Sequence, residues 1–158
     1  MNFASGLSEE LYSLEVDEEE GFLYWSMKYN IQRKSLNGSG STETIYSNDL
    51  LSKITGLSID LSRNPRRIFF CDFDKERSFY KDVNQSLTTA HDLTAYMVDP
   101  DISKLRDISY FNGTLYWTKG DNPNGIAVMT DYDQSSRSFD IKENLGFQKP
   151  YQLLIINP

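Results

Sequence analysis

The sequence carries three copies of one short pattern, an aromatic pair inside a run of strand-forming residues. The copies are Leu23-Tyr24-Trp25-Ser26, Ile68-Phe69-Phe70-Cys71-Asp72 and Leu115-Tyr116-Trp117-Thr118. The second aromatic residues, Trp25, Phe70 and Trp117, are separated by 45 and 47 residues. Intervals of this length are typical of the blades of β-propellers. The spacing therefore predicts a repeated architecture.

Short runs of alternating apolar and polar residues surround each pair, as expected for half-buried β-strands. They fall at 11–17, 22–27, 30–36 and 42–46, then at 54–61, 67–73, 78–83 and 93–98, and finally at 105–111, 114–119, 125–132 and 137–142. Asn112-Gly113 is the clearest signal for a two-residue hairpin, and Asn37-Gly38 also favours a tight hairpin. A long polar loop is predicted at 84–92. The whole predicts an all-β protein of antiparallel four-stranded blades.

The repeat divides the chain, as one domain, into consecutive blades. We interpret residues 1–10 as the end of a preceding blade, 11–53, 54–104 and 105–149 as three blades, and 150–158 as the first strand of a next blade. Each blade buries its flat faces against its neighbours, so three blades leave two apolar faces open. We therefore expect an incomplete β-propeller, with the remaining blades of the same propeller supplied by a longer chain.

The charge balance argues against a nucleic-acid partner. The chain has 16 Lys and Arg against 23 Asp and Glu, a net charge of −7, whereas nucleic acids and anionic membranes attract clustered cations. The nearest basic cluster, Arg63, Arg66 and Arg67, is interpreted as a solvated turn. There is no apolar run long enough for a direct membrane span, and residues 1–10 lack the pattern of a signal peptide.

No catalytic or metal motif is assembled in the sequence. Cys71 is the only cysteine and His91 the only histidine, so neither a zinc ligand set nor a nucleophile paired with histidine is predicted. The acidic residues Glu15, Asp17 and 18–20 lack the spacing of a calcium loop and are interpreted as a solvated turn. His91 is either a solvated loop residue or a pH sensor at an interface. We predict no cofactor.

The aromatic segments, together with Gly56-Leu57-Ser58-Ile59-Asp60 and residues 31–39, resemble the YWTD repeat of the low-density lipoprotein receptor class B family. The resemblance extends over residues 4–158 and implies six-bladed β-propeller architecture. The residues that match the structural repeat motif are Tyr24, Trp25, Phe69, Phe70, Asp72, Tyr116 and Trp117. We interpret the aromatic members as core residues rather than as a platform for a ligand.

The family's aspartate after the aromatic pair helps to tie neighbouring blades together by hydrogen bonds. Only Asp72 keeps it here, since Met27 and Lys119 stand at the corresponding positions. The pattern also has an aspartate at the end of each inner strand, which makes Asp17 and Asp60 possible inter-blade residues.

The resemblance implies a non-catalytic protein-binding module, a fragment of a receptor or matrix-type ectodomain that is extracellular or at the cell surface. Its implied partner is a protein ligand, and no enzyme activity is expected. Three Asn-x-Ser/Thr triplets mark possible N-glycosylation sites at Asn37, Asn84 and Asn112.

Two alternatives stay open. In a calcium-dependent hydrolase-type propeller, carboxylates of several inner strands converge on one ion, and Asp17, Asp60 and Asp107 are the candidates. The other alternative is a truncated remnant without independent function.

Overall fold

The computed structural model describes residues 10–48, 53–97, 105–120 and 125–143. Within these residues the chain forms twelve strands and one 3₁₀ turn. The first eight strands are β1 (Ser13–Asp17), β2 (Phe22–Ser26), β3 (Asn30–Ser35), β4 (Glu43–Ser47), β5 (Ile54–Asp60), β6 (Arg67–Asp72), β7 (Arg77–Asp82) and β8 (His91–Asp92). The 3₁₀ turn Thr94–Tyr96 precedes β9 (Leu105–Phe111), β10 (Thr114–Lys119), β11 (Gly125–Thr130) and β12 (Ser138–Glu143).

The strands form three antiparallel sheets, β1-β2-β3-β4, β5-β6-β7-β8 and β9-β10-β11-β12. We call them the first, second and third sheets. Each is a meander in which consecutive strands are neighbours, and the sheets pack face to face as consecutive blades of a β-propeller. The predicted fold class is confirmed. Residues 1–9 and 150–158, to which the sequence assigns parts of further blades, and residues 144–149 of the predicted third blade lie outside the described residues.

The register makes positions in the three sheets equivalent. The second aromatic residue stands opposite Leu14 in the first sheet, Leu57 in the second and Ile108 in the third. We call the face of each sheet that carries these residues its leading face, and the opposite face, which carries Tyr24, Phe69 or Tyr116, its trailing face. Successive side chains alternate between the faces of a strand, so the two rings of each aromatic pair point to opposite faces of their sheet.

Two apolar clusters fill the spaces between the sheets. Between the first and second sheets, the Tyr46 and Phe70 rings lie 4.7 Å apart, and Tyr24 packs in the same cluster. Between the second and third sheets, Phe69 stacks on Tyr110 at 5.1 Å and meets the edge of Tyr132 at 5.0 Å. The leading face of one sheet therefore packs on the trailing face of the sheet before it.

The backbones of the second and third sheets approach closely at Gly56. A Cβ atom there would lie 2.8 Å from Asp107 Cα, from Ile108 N and from Cys71 Sγ. Only a residue without a side chain fits such a contact. Gly56 therefore lets β5 lie against β9.

Three local predictions differ from the structure. The fourth strand of the second unit is β8 at residues 91–92 rather than 93–98, because the Asp92 carboxylate accepts a hydrogen bond from Thr94 N at 2.8 Å and a 3₁₀ turn follows. His91 thus belongs to a strand and not to the predicted loop.

The Asn37-Gly38 segment does not form a two-residue hairpin, since residues 36–42 connect β3 to β4. Its Asn37 side chain instead accepts a hydrogen bond from Ser39 N at 2.8 Å. The Asn112-Gly113 hairpin is present, with φ of 45° and 82°.

Candidate functional site

The repeat-motif aromatic residues lie inside the protein. Tyr24, Phe69, Phe70 and Trp117 are fully buried and Trp25 is nearly so, while Tyr116 is half-buried. Each occupies the second strand of its sheet, next to the innermost strand. These rings wedge the sheets together and present little surface to a ligand.

Asp17 joins the first sheet to the second. At the end of β1 its Oδ2 accepts a hydrogen bond from Arg66 Nε at 2.7 Å, and its Oδ1 lies 3.3 Å from Arg66 Nη2. Glu19 Oε2 accepts a further bond from Arg66 Nη2 at 2.7 Å. Burial by itself would raise the pKa of Asp17, but the hydrogen bond from Arg66, the backbone hydrogen bond from Glu20 and the positive charge of Arg66 outweigh it and hold this pKa below its usual range.

This ion pair corrects the interpretation of the basic turn. Arg66 is buried, with 6% of its side chain exposed, and the side chain of Arg67 is 12% exposed. Both guanidinium groups are held by carboxylates, which the sequence pattern did not indicate because the partner of Arg66 lies 49 residues away. The predicted solvated turn is therefore wrong for Arg66 and Arg67.

Asp60 and Asp72 are both buried and hold turns of the second sheet. Asp60 Oδ1 accepts hydrogen bonds from Ser62 N at 3.0 Å and Ser62 Oγ at 2.6 Å, and its Oδ2 lies 3.1 Å from Arg63 Nε. Arg63 also bonds to Asp133, so it links Asp60 to the third sheet. Asp72 Oδ1 accepts bonds from the backbone N–H groups of residues 74 and 75, each at 3.1 Å.

Asp107 does not match the position of Asp17 and Asp60. The register places Phe111, the last residue of β9, at the equivalent position. Asp107 lies near the start of the same strand. Four strand residues separate the two positions, about 13 Å. The described residues contain no group of three or more His, Cys, Asp or Glu side chains placed to hold a metal ion. The convergence that the hydrolase alternative requires is thus not present at Asp107.

A cluster of arginine and aromatic side chains bridges the second and third sheets at the end where β5 finishes. We call it the seam cluster and define it by Arg63, Arg67, Tyr80, Asp82, His91, Tyr132 and Asp133. Arg67 lies opposite Asp82 on the neighbouring strand and forms two hydrogen bonds to its carboxylate, at 2.7 and 3.1 Å. The same guanidinium lies 4.5 Å from the centre of the Tyr80 ring.

The two sheets meet within the seam cluster. Arg67 Nη1 lies 3.4 Å from the hydroxyl of Tyr132, which comes from the loop between β11 and β12. His91 stacks on Tyr80 at 4.8 Å, with 19° between the rings. His91 is exposed and Tyr80 is half-buried, so the cluster reaches the surface.

The surroundings of the seam cluster shift the pKa values of two of its members so that Asp82 stays ionised and Tyr132 stays neutral at neutral pH. The hydrogen bond from Arg67 holds the pKa of Asp82 below its usual range. Burial raises the pKa of Tyr132. The cluster therefore presents a bidentate ion pair and packed rings whose conformations are already set, an arrangement suited to recognising another surface. The strand register places Arg67 opposite Asp82, but no sequence signal points to Tyr132.

Two further ionisable groups have shifted pKa values: Lys81, which the sequence did not single out, and Glu15, which is half-buried rather than part of the predicted solvated turn. Lys81 is fully buried and donates from Nζ to the carbonyl oxygens of Ile45 at 2.6 Å and Ser86 at 3.0 Å. Burial lowers the pKa of Lys81 to about 8. Burial, together with the negative charge of Asp107, raises the pKa of Glu15 to about 7.

A cleft of about 410 Å³ opens between the first and second sheets, at the opposite end of β7 from the seam cluster. It is lined by Tyr46, Asn48, Lys75, Arg77, Phe79, Thr88 and Ala90. Arg77 is mostly exposed and lies 3.6 Å from Asp92. The cleft is a second candidate binding surface, so a variant in it can serve as a control for variants in the seam cluster.

The three candidate glycosylation asparagines, Asn37, Asn84 and Asn112, are all exposed in turns. Among the described residues, none forms a helix long and apolar enough to cross a membrane.

Comparison with known proteins gives one informative kind of match. No protein-family model matches the sequence, and neither does any curated protein. A chain in the crystal structure of a nidogen/laminin complex is similar in structure, with a TM-score of 0.71 and 24% sequence identity over 90% of the present chain and 52% of that chain. The present chain thus spans about half the length of its structural neighbour. At this identity the similarity supports the β-propeller fold alone.

Proposed function

We propose that the chain is a non-catalytic protein-binding module of the YWTD type, part of a receptor or matrix-type ectodomain that acts outside the cell or at its surface. We also propose that the remaining blades of the same propeller are supplied by a longer chain. Support comes from the repeat-motif residues, from the fold, and from a structural neighbour that was crystallised in a complex of two proteins, nidogen and laminin.

The observation that carries the proposal is the seam cluster. Arginine and tyrosine are the residue types that dominate binding energy at protein interfaces, because they combine large apolar area with hydrogen bonding. In the seam cluster Arg67 and Tyr80 are held in place by Asp82 and His91. Little side-chain entropy remains to be lost on binding, so an ordered cluster of this kind that reaches the surface at His91 and Arg63 favours a protein ligand.

A screen of purified secreted and cell-surface proteins against the immobilised chain tests the proposal. We expect a captured protein whose binding is weakened at least about tenfold by Arg63→Ala or His91→Ala. Both side chains reach the surface, and neither belongs to the apolar clusters. Arg77→Ala is the matched control because Arg77 lies in the cleft at the other end of the second sheet. A ligand that responds to Arg77→Ala alone would assign binding to the cleft and contradict the seam cluster.

The proposed location has its own test. Expressed through a secretory pathway, the chain should carry glycans at one or more of Asn37, Asn84 and Asn112, and treatment with a glycosidase should then increase its electrophoretic mobility. A chain that is retained and degraded in the endoplasmic reticulum would contradict the proposed extracellular location.

A further inference from the structure

The three Asn-x-Ser/Thr triplets of the chain all follow strands that run in the same direction. Asn37 comes after the end of β3, Asn84 after the end of β7, and Asn112 directly after the end of β9. Alternate strands of an antiparallel meander are parallel to each other, so the odd-numbered strands of each sheet finish at the same end of that sheet. The triplets therefore share one end of their sheets.

Contacts between the sheets bring these ends together. Asp17, at the end of β1, binds Arg66, which lies just before β6. Arg67, at the start of β6, lies 3.4 Å from the hydroxyl of Tyr132, which follows the end of β11. The odd-numbered strands of all three sheets thus finish at one end of the protein, and this is the end that carries the seam cluster.

Asn84 is tied to the seam cluster by its own turn. Gln85, the middle residue of its triplet, accepts a hydrogen bond at Oε1 from Asp82 N at 3.0 Å, and its backbone N–H donates to Asp82 O at 3.0 Å. The Gln85 amide nitrogen lies 3.5 Å from His91 Nε2. The turn that carries Asn84 is therefore held against two members of the seam cluster.

The triplet is also accessible to a modifying enzyme. Asn84 and Ser86 are both exposed. The donor in N-glycosylation is an oligosaccharide on a polyprenyl diphosphate. C1 of its first sugar forms a bond to Asn84 Nδ2, the bond from C1 to the phosphate oxygen breaks, the lipid diphosphate leaves, and the amide gives up one proton.

We propose that a glycan on Asn84 covers the seam cluster and controls the access of the protein ligand to it. The inference rests on the proposed function for both the ligand and the secretory route. N-linked glycans are bulky, so a glycan attached two residues from Asp82 competes with a partner for the space around the exposed His91 ring. Only chains without a glycan on Asn84 then present the seam cluster.

Asn37 provides an internal comparison. It lies in the connection between β3 and β4, where Leu36 N donates to Gly21 O at 2.8 Å. This connection belongs to the first sheet, whereas every member of the seam cluster belongs to the second or third sheet. A glycan on Asn37 should therefore leave the seam cluster accessible.

Peptide mapping and one binding probe test the proposal on chain produced in a secretory host. Mass spectrometry should find a glycan on Asn84. The probe is a single-domain antibody selected on the non-glycosylated chain and required to lose binding on His91→Ala. It should bind the secreted wild type at least about tenfold more weakly than secreted Asn84→Gln. Secreted Asn37→Gln, the matched control, should bind like the wild type.

Variants of the third residue of the triplet give a second measurement. Ser86→Ala removes the triplet without changing Asn84 and should behave like Asn84→Gln, whereas Ser86→Thr keeps the triplet and should behave like the wild type. A peptide map without a glycan on Asn84 overturns the proposal. Equal affinity of the antibody for secreted wild type and secreted Asn84→Gln also overturns it.

A chemical version of the experiment separates this inference from the proposed function. A bulky polymer maleimide coupled to Asn84→Cys should weaken antibody binding, whereas the same polymer on Asn37→Cys should not. Cys71 does not compete, because it is buried and burial raises the pKa of its thiol to about 12. Unchanged binding after coupling to Asn84→Cys overturns the shielding. Failure of the ligand screen would instead contradict the proposed function and would leave these results unchanged.

Discussion

Arg66, in the connection between β5 and β6, and Asp17, at the end of β1, form a buried ion pair, with Arg66 Nε 2.7 Å from Asp17 Oδ2. The pair crosses the boundary between the first two repeats of the sequence. Removing one member of a buried pair leaves the other charge without compensation, which costs more than the pair itself contributes.

We expect Asp17→Asn to lower the free energy of unfolding by about 3 kcal/mol, because Arg66 would stay buried without its main carboxylate partner. Urea denaturation followed by circular dichroism measures this. Glu18→Gln is the control, since Glu18 is an exposed acidic residue of the same turn. A loss of stability no larger than that of the control would show that Asp17 does not join the sheets.

Glu15→Gln should change how stability depends on pH. Burial raises the pKa of Glu15 from 4.5 to about 7, so between these values the folded chain binds its proton more tightly than the unfolded chain. Stability from this group is complete below pH 4.5 and is lost as the pH rises through 7. Glutamine has no proton to lose, so the free energy of unfolding of the variant should be about 2 kcal/mol higher than that of the wild type at pH 8. Near pH 4.5 the two free energies should be equal. Equal differences at both pH values would contradict the raised pKa.

Lys81 should make the wild type more stable as the pH rises in the alkaline range, the opposite of the effect of Glu15. Burial lowers its pKa from 10.5 to about 8, so the unfolded chain binds the proton more tightly in this interval and the wild type should gain about 2 kcal/mol between pH 7.5 and 9.5. Lys81→Met should remove most of that gain, whereas Lys75→Met, at an exposed position, should preserve it. The measurement is denaturant unfolding at several pH values, and an unchanged gain in Lys81→Met would be the contrary outcome.

Gly56→Ala should destabilise the contact between β5 and β9. The added Cβ would lie 2.8 Å from backbone atoms of residues 107 and 108, and moving a strand in a packed interface costs about 2 kcal/mol. Gly21→Ala is a suitable comparison, because Gly21 has a φ of 74° but open space around it and only the backbone penalty of about 1 kcal/mol applies. Thermal unfolding should rank Gly56→Ala as the less stable variant, and the reverse order would contradict the close approach.

Local patterns predicted the features of this fold that depend on neighbouring residues. The spacing of Trp25, Phe70 and Trp117 predicted three sheets, and Asn112-Gly113 predicted a hairpin that is present. The burial of Arg66 was missed because its partner belongs to another repeat. The seam cluster was missed for the same reason, since the contact from Arg67 to Tyr132 spans 65 residues. The end of β8 depends on one hydrogen bond of Asp92, which alternation of apolar residues does not reveal.

The central claim is that the two rings of an aromatic pair point to opposite faces of their sheet, so that Phe70 packs against the first sheet and Phe69 against the third. Nuclear Overhauser contacts between aromatic rings test it most directly in the second sheet, where Phe69 lies 5.0 Å from Tyr132 and Phe70 lies 4.7 Å from Tyr46. We predict cross-peaks from Phe69 to Tyr132 and from Phe70 to Tyr46 in selectively labelled protein. Cross-peaks from both phenylalanines to the same tyrosine, or to neither, would contradict the arrangement of blades.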